Sequence, residues 1–299
     1  MKGSMAVVFF WLWLRGLPFA LAGAAAAAGP EPFFFIQLSD PQLGMFTENA
    51  DFAQETANLE FAVAAVNRLH PAFVVITGDL VNRPGDASQI TEYRRIVGKI
   101  DPAIPAYNVA GNHDVQNAPT PASLAAYTNR FGPDHYAFRH RGLVGIVLNS
   151  SLICAPEKVP QQFAEQERWL KAELQQARNE RARTIVIFQH HPWFVSSPNE
   201  PDQYFNIPRQ RRSSYLSLLR DFGVNYVFCG HYHRNALARD RGLEVIITGA
   251  VGKPLGDDKS GLCIAIVREG LIEHRYYDFG DLPTRVNLGP PTAERAGGH

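Results

Sequence analysis

The chain has 299 residues, of which 45% are apolar and 19% charged, and 29 basic side chains balance 29 acidic ones. The apolar content suffices for a globular core, and the lack of a basic excess excludes a general electrostatic attraction to nucleic acid or to an anionic membrane. A phosphate-bearing ligand would therefore need a local binding site, such as one built from metal ions.

The first 28 residues differ in composition from the rest. Lys2 precedes an apolar run, which Arg15 interrupts and which then continues into an alanine-rich stretch before Gly29. This order is typical of a secretory signal peptide and predicts an exported domain, periplasmic or secreted. The alternative is an uncleaved membrane anchor, because residues 5–28 are long enough to span a bilayer if Arg15 is tolerated. Both interpretations place the domain outside the cytoplasm, and only the anchor makes the membrane a partner.

From residue 33 onward, short β-branched or aromatic runs alternate with helical patterns. The strand-like runs are residues 33–38, 73–77, 106–109, 143–149, 184–189 and 224–229. Apolar residues at helical spacing recur around residues 59–69, 163–174 and 215–222. The last runs, residues 243–248, 262–267 and 271–277, follow one another without a helix and predict a meander. This order predicts an α/β domain with one mixed sheet, or with two sheets packed face to face and helices outside.

The domain organisation is simple. No linker or repeat interrupts residues 33–280, which predicts one catalytic domain over residues 29–280, and the proline- and glycine-rich residues 281–299 are predicted to be a flexible tail. Three cysteines at irregular spacing indicate no disulfide framework.

Four polar motifs follow strand-like runs: Ser-Asp-Pro-Gln at 39–42, Gly-Asp-Leu-Val-Asn at 78–82, Gly-Asn-His-Asp at 111–114 and Gly-His-Tyr-His at 230–233. Strand ends meet along one edge of a sheet, so these motifs are expected to gather there. Carboxylate, amide and imidazole groups together suit manganese, iron or zinc in five or six coordination. They do not resemble a closed tetrahedral zinc site made of thiolates. Asp79 after Gly78 suits a carboxylate that bridges two cations. His231 and His233 are expected on the same side of an extended segment.

With His-x-Pro at 190–192, the five ordered motifs resemble those of the calcineurin-like metallophosphoesterase superfamily, from residue 33 to about residue 278. The resemblance implies two packed mixed β-sheets flanked by helices, and two divalent metal ions. It assigns one metal to Asp40, Gln42, Asp79 and His233, and the other to Asp79, Asn112, His190 and His231. Most members carry histidine where Gln42 stands, and the amide favours manganese or iron, with zinc and magnesium as alternatives.

The resemblance also implies a mechanism, in which a water or hydroxide that bridges the metals attacks phosphorus and His113 acts as general acid. Asp114 is a second catalytic candidate, which either orients His113 or pins its loop. The candidate substrate contacts are His191, Tyr204, Asn206 and Arg234.

The predicted function is metal-dependent hydrolysis of phosphate monoesters. A phosphodiesterase or nucleotide pyrophosphatase with the same ligands is one alternative, and a metal-bound binding protein with little catalysis is another, should Gln42 fail to hold its metal. The branch with Asp-Pro-Gln at the first motif includes a serine/threonine phosphatase, so the expected substrate is a phosphorylated small molecule or a phosphoprotein. Export weakens the transfer of a cytosolic phosphoprotein substrate to this chain.

Overall fold

The structure is a computed structural model that describes residues 31–290, so the predicted leader at 1–28 and the end of the predicted tail lie outside the described residues. The strands are β1 Phe33–Leu38, β2 Val74–Ile76, β3 Ala106–Asn108, β4 Tyr136–His140, β5 Leu143–Val147, β6 Thr184–Phe188, β7 Tyr226–Cys229, β8 Ala236–Asp240, β9 Leu243–Ile247, β10 Gly261–Arg268 and β11 Leu271–Asp278. The helices are α1 Ala53–Leu69, α2 Ala87–Val97, α3 Asn112–Val115, α4 Pro121–Phe131, α5 Ser150–Cys154, α6 Pro160–Asn179 and α7 Arg209–Asp221.

These strands form two mixed sheets. The first has the order β11-β10-β1-β2-β3 and the second the order β4-β5-β6-β7-β9-β8. Strands β1, β2 and β3 are parallel, as are β5, β6, β7 and β9, while β10, β11, β4 and β8 add antiparallel pairs at the sides. The predicted α/β fold of two packed mixed sheets is confirmed.

Alternation along β1 shows how the layers are held together. The ring of Phe35 points between the sheets and meets Phe188 and Phe228 of the second sheet edge-on, with centroid distances of 5.6 and 5.2 Å. Ile36 points the other way, into a cluster with Leu59 of α1. Because successive side chains of a strand face opposite sides, one apolar strand can bury both faces. An aromatic layer therefore joins the sheets, and helices cover the outer faces.

The predicted meander at the C-terminal end is wrong. Strand β9 pairs with β7 and β8 in the second sheet, whereas β10 and β11 form a hairpin beside β1 in the first. The chain crosses between sheets after β9, and two neighbouring apolar runs do not indicate which sheet each one joins. Strands β4 and β8 and helices α2, α3, α4 and α5 were not predicted. The two edge strands were missed because they carry polar residues such as Arg139 and Arg239.

Residues 281–290 contain no helix or strand, yet they lie against the domain. Arg68 donates a hydrogen bond of 2.9 Å to the carbonyl of Pro283, and Leu282 and Leu288 pack against the cluster that contains Leu59. The composition of this segment gave no sign of these contacts. Within residues 31–290, no helix is long and apolar enough to cross a membrane.

Candidate metal centre

Six of the seven predicted metal ligands lie in loops that follow strands, and the seventh, Asn112, begins helix α3. Asp40 and Gln42 follow β1, Asp79 follows β2, and the others come after β3, β6 and β7. Because these strands are parallel within their sheets, their carboxyl ends open towards the same edge of the fold. None of the seven side chains is more than 3% exposed. Carboxylates buried this deeply require cationic or hydrogen-bonding partners.

Two groups of side chains place their ligand atoms within 4.8 Å of one another. One group contains Asp40, Asp79 and His233, and the other contains His190, His191 and His231. His190 Nε2 lies 3.2 Å from Asp79 Oδ2, so the two groups adjoin at Asp79. This arrangement fits two neighbouring cations with a shared carboxylate. His191, which was not a predicted ligand, belongs to the second group, so the partition of ligands between two metals stays a prediction.

The backbone of this centre is strained. Left-handed φ angles occur at five of the seven ligands, namely Asp40 (48°), Gln42 (38°), Asp79 (50°), His231 (67°) and His233 (54°). Such conformations are uncommon outside glycine and cluster at functional sites. The predicted extended segment at His231 and His233 is therefore wrong. Two left-handed residues separated by Tyr232 send the imidazoles to different ligand groups instead.

Close backbone approach explains two glycines of the motifs. A Cβ atom at Gly111 would overlap the backbone nitrogen and Oδ1 of Asp79, and one at Gly230 would overlap Asp40 Oδ2. Only a residue without a side chain lets these loops pass so near the carboxylates. The glycines thus bring the ligand-bearing loops together.

Each predicted histidine ligand uses one ring nitrogen to bind a backbone carbonyl. The pairs are His190 Nδ1 with Thr77 O (2.9 Å), His231 Nε2 with Tyr204 O (2.9 Å) and His233 Nδ1 with Lys253 O (2.6 Å). Because a carbonyl only accepts, the bonded nitrogen carries a proton, and the other nitrogen of each ring is the one that a metal ion could bind. Metal-binding histidines are commonly held in this way.

The two amide ligands are oriented by similar contacts. Asn112 Nδ2 donates to Asn117 Oδ1 at 2.9 Å, which turns Asn112 Oδ1 towards His190. Gln42 Nε2 donates to Asn82 Oδ1 at 3.0 Å, and Gln42 Oε1 is buried without a hydrogen-bond partner among the described residues. An unpartnered buried oxygen costs about 1–3 kcal/mol, which a bound cation would offset. The donor set therefore fits a metal ion at Gln42.

We predict that Gln42→His shifts metal preference towards zinc while the fold persists, because imidazole is a softer ligand than an amide oxygen. The measurement is metal content by mass spectrometry after equal exposure of the stripped protein to manganese and zinc. Gln54→His, at an exposed position of α1, is the matched control. An unchanged manganese-to-zinc ratio would show that Gln42 does not bind metal.

The electrostatics of the pocket favour bound positive charge. Burial acts to lower the pKa of His190, but the charge and hydrogen bond of Asp79, together with the charge of Asp40 and the bond to Thr77, outweigh burial and raise this pKa to about 9. In the same way Asp40 raises the pKa of His233 against the effect of burial. Burial, aided by the charge of His190, lowers the pKa of His231 to about 4. The two carboxylates thus favour positive charge beside them, which divalent cations would supply.

His113 lies at the start of α3 beside the ligand cluster. Its backbone N–H donates to Asp79 Oδ1 at 2.8 Å, and its Nδ1 donates to the Asn82 carbonyl at 2.7 Å. These contacts fix the ring and leave Nε2 without a partner among the described residues. The ring is thus fixed with one available nitrogen next to a candidate metal bridge, and its role as general acid stays a prediction.

Asp114 does not contact the His113 ring, and the expectation that it takes part in catalysis is not supported. Its Oδ1 accepts from the backbone N–H groups of Leu80 and Val81 at 3.0 and 3.3 Å, and its Oδ2 accepts from Gly111 at 2.8 Å. The carboxylate therefore ties the loop of Asp79 to the loop of Asn112. Neighbouring residues of a short helix point in different directions, which separates Asp114 from His113.

Two of the four predicted substrate contacts lie at the centre. His191 is buried, its Nδ1 lies 2.8 Å from Ser150 Oγ, and its ring centroid is 4.2 Å from that of His231. Tyr204 is 58% exposed, and its hydroxyl accepts a 3.2 Å hydrogen bond from Asn112. Tyr204 thus forms part of the rim above the ligand cluster, whereas His191 forms part of its floor.

The other two predicted substrate contacts form no hydrogen bond to a ligand residue within residues 31–290. Asn206 is buried and donates a 2.6 Å hydrogen bond to Glu200 Oε1, so the expectation that it contacts substrate is wrong. A buried amide needs partners, and here it finds them inside its own loop. The Arg234 guanidinium lies 5.2 Å from the ring centroid of Tyr232 and makes no hydrogen bond to a ligand residue within residues 31–290.

Sequence reasoning missed the residues that hold the Tyr204 loop. Glu200 accepts hydrogen bonds from the backbone of Val195 and Ser196, at 2.8 Å each. Arg212 is 1% exposed and donates to the carbonyls of Glu200 and Ile207 at 3.0 Å. Arg212 stands in a run of basic residues that is typical of a solvated helix face, so its sequence context gave no signal. The loop that carries Tyr204 is thereby fixed.

Comparison with known proteins places this geometry in context. A family model described as calcineurin-like phosphoesterase matches residues 35–235. Serine/threonine-protein phosphatase CPPED1 of Danio rerio is 37% identical over 269 residues, which cover 85% of this chain and 87% of that protein. CPPED1 of Homo sapiens is 35% identical over 267 residues, with coverages of 84% and 85%.

Solved structures share the fold. A dimetal phosphatase from Danio rerio superposes with a TM-score of 0.58 at 17% identity, covering 84% of this chain and 97% of that one. Purple acid phosphatase PPD1 from yellow lupin seeds gives a TM-score of 0.62 at 13% identity, with coverages of 90% and 58%. At these identities the structural likeness supports the architecture alone.

Proposed function

This chain belongs to the calcineurin-like phosphoesterase family and is a hydrolase of phosphate esters, and from that premise we propose that it cleaves phosphate monoesters at a two-metal centre with His113 as general acid. The observation that carries the proposal is the pair of adjoining ligand groups that meet at Asp79. The names of the CPPED1 relatives, which are serine/threonine-protein phosphatases, support a monoester substrate.

The residues of the centre form two sets of ligands, one for each proposed cation. Asp40, Gln42 and His233 would hold one cation, and Asn112, His190 and His231 the other, with Asp79 between them. Two divalent cations held there would lower the pKa of water and neutralise phosphoryl oxygens, so the protein would need no nucleophile of its own. The carbonyls that fix the three imidazoles keep these ligands in place before substrate arrives.

His113 would supply the proton to the leaving oxygen. Its Nδ1–H remains bound to the Asn82 carbonyl, so transfer occurs from Nε2, the nitrogen without a described partner. The short link from the His113 N–H to Asp79 Oδ1 holds the acid at a fixed distance from the candidate bridge. Tyr204, whose loop is tied down by Glu200, narrows the entrance on another side.

The native metals and the compartment are part of the proposal. Three imidazole and two amide donors beside two carboxylates favour manganese or iron, and the Gln42 amide disfavours zinc. Export rests on residues 1–28 alone, and the intact mass of the protein from its native source tests it. A chain that begins near residue 29 supports cleavage, and one that begins at Met1 contradicts it.

We expect residues 29–299, stripped of metal and reloaded with manganese, to hydrolyse p-nitrophenyl phosphate faster than bis-p-nitrophenyl phosphate. The comparison of kcat/KM for the two compounds separates the phosphatase from its alternatives. A preference for the diester would instead indicate a phosphodiesterase. Inactivity on both compounds with two equivalents of metal bound would contradict the proposed function and favour a binding protein.

A further inference from the structure

A groove of about 400 Å³ opens beside the candidate metal centre. Its lining includes His113 and the ligand Asn112, so it begins where the proposed general acid faces solvent. A leaving group must lie next to the acid that protonates it. If the proposed function holds, this groove therefore receives the leaving group of the substrate, and its side chains select among substrates.

The lining of the groove is rich in hydrogen-bond donors. It consists of five side-chain amides, one proline, His113 and Arg83, with no carboxylate and no aromatic ring other than that of His113. Asn49 Oδ1 accepts from Asn82 Nδ2 at 2.8 Å, and Asn117 Oδ1 accepts from Asn112 Nδ2 at 2.9 Å. Because these oxygens are already engaged, Asn49 and Asn117 offer their N–H groups to a ligand.

Arg83 supplies the single permanent charge of this lining. It is exposed, and its guanidinium forms no ion pair or hydrogen bond within residues 31–290. The carboxylate of Asp86, three residues further on, caps α2 by accepting from the backbone of Ser88 and Gln89. The guanidinium therefore remains available to an anionic group, which it binds with two parallel donors.

We propose that the groove selects phosphate monoesters whose leaving group carries a second anionic group, and that Arg83 binds this group. The anion is a carboxylate or a second phosphate, since a guanidinium and amide N–H groups bind both. The lining offers a nucleobase no aromatic side chain for stacking other than the imidazole of His113.

The test uses three aryl phosphates of similar shape on the manganese-loaded protein. In 4-carboxyphenyl phosphate the leaving group is anionic, in 4-carbamoylphenyl phosphate it is neutral, and in 4-(phosphonomethyl)phenyl phosphate the anion is a phosphonate. The measured quantity is the ratio of kcat/KM for each anionic compound to that for the carbamoyl compound. Comparison between variants cancels the intrinsic reactivity of the leaving groups.

Arg83→Gln is expected to lower at least one of the two ratios about fivefold, the upper range for one exposed ion pair, with Arg83→Lys in between. The ratio that falls more identifies the anion as carboxylate or phosphonate. Arg94→Gln, which removes an exposed charge from α2 outside the groove, should leave both ratios as in the parent protein. The fall should also shrink at high salt.

Two results would overturn the inference, and they are distinguishable from each other. Ratios that Arg83→Gln leaves unchanged, in a protein that cleaves the carbamoyl compound, would show that Arg83 does not read the leaving group. Failure of the parent protein to cleave any of the three compounds would contradict the proposed function itself, and the inference with it.

Discussion

Asp79→Asn is expected to abolish turnover of p-nitrophenyl phosphate and to lower metal content at the same time. Asp79 is the side chain at which the two ligand groups meet, and an amide replaces its shared negative charge by a neutral group with one weak oxygen ligand. Loss of one preorganised charge-stabilising group typically costs about 10²–10³ in kcat, and loss of a cation adds to this. We therefore expect a loss of at least about a thousandfold.

The measurements are kcat/KM and bound metal per chain, each taken on the same protein sample. Asp221→Asn, at the exposed end of α7, is the matched control and should behave like the parent protein. Turnover retained in Asp79→Asn, or a full complement of two metals, would rule out Asp79 as the bridge.

His113→Gln is expected to reduce kcat, and the reduction should be larger for substrates whose leaving group must be protonated as it departs. General acid catalysis contributes about 10²–10⁴, so cleavage of phenyl phosphate should fall by about 10²-fold or more. p-Nitrophenolate leaves with little help, so its release should fall far less. The metal content should remain at two per chain, because His113 contacts Asp79 through its backbone N–H, which the substitution keeps.

The ratio of the two losses separates catalysis from a structural role. A glutamine that merely disturbed the loop would slow both substrates alike, and equal losses would therefore contradict the general-acid assignment. The partner of His113 Nδ1 is the backbone carbonyl of Asn82, so this hydrogen bond does not depend on the Asn82 side chain.

The architecture was largely predictable, because apolar strands and helices alternate along most of the chain. Strands such as β1 and β6 are wholly buried and read as continuous apolar runs. The assignment of strands to sheets was harder, since β9 and β10 are both apolar and only tertiary packing separates them. Edge strands such as β8 expose charged residues and resemble loops in sequence.

The ligand cluster was predictable because each motif stands at a strand end and the strands impose a common edge. The direction in which each side chain points was not predictable, since it depends on contacts between residues that are distant in sequence. Asp114 turns to three backbone N–H groups instead of His113, and Asn206 turns to Glu200 instead of the pocket. Arg83 belongs to none of the sequence motifs, and its proposed role follows only from its position in the groove beside His113.

The central claim is a two-metal centre that shares Asp79. Its most direct test is anomalous diffraction from crystals of the manganese-loaded protein, recorded at the manganese absorption edge. The account predicts two anomalous peaks about 3.5–4 Å apart, one on each side of the Asp79 carboxylate. A single peak, or two peaks that do not both contact Asp79, would contradict it.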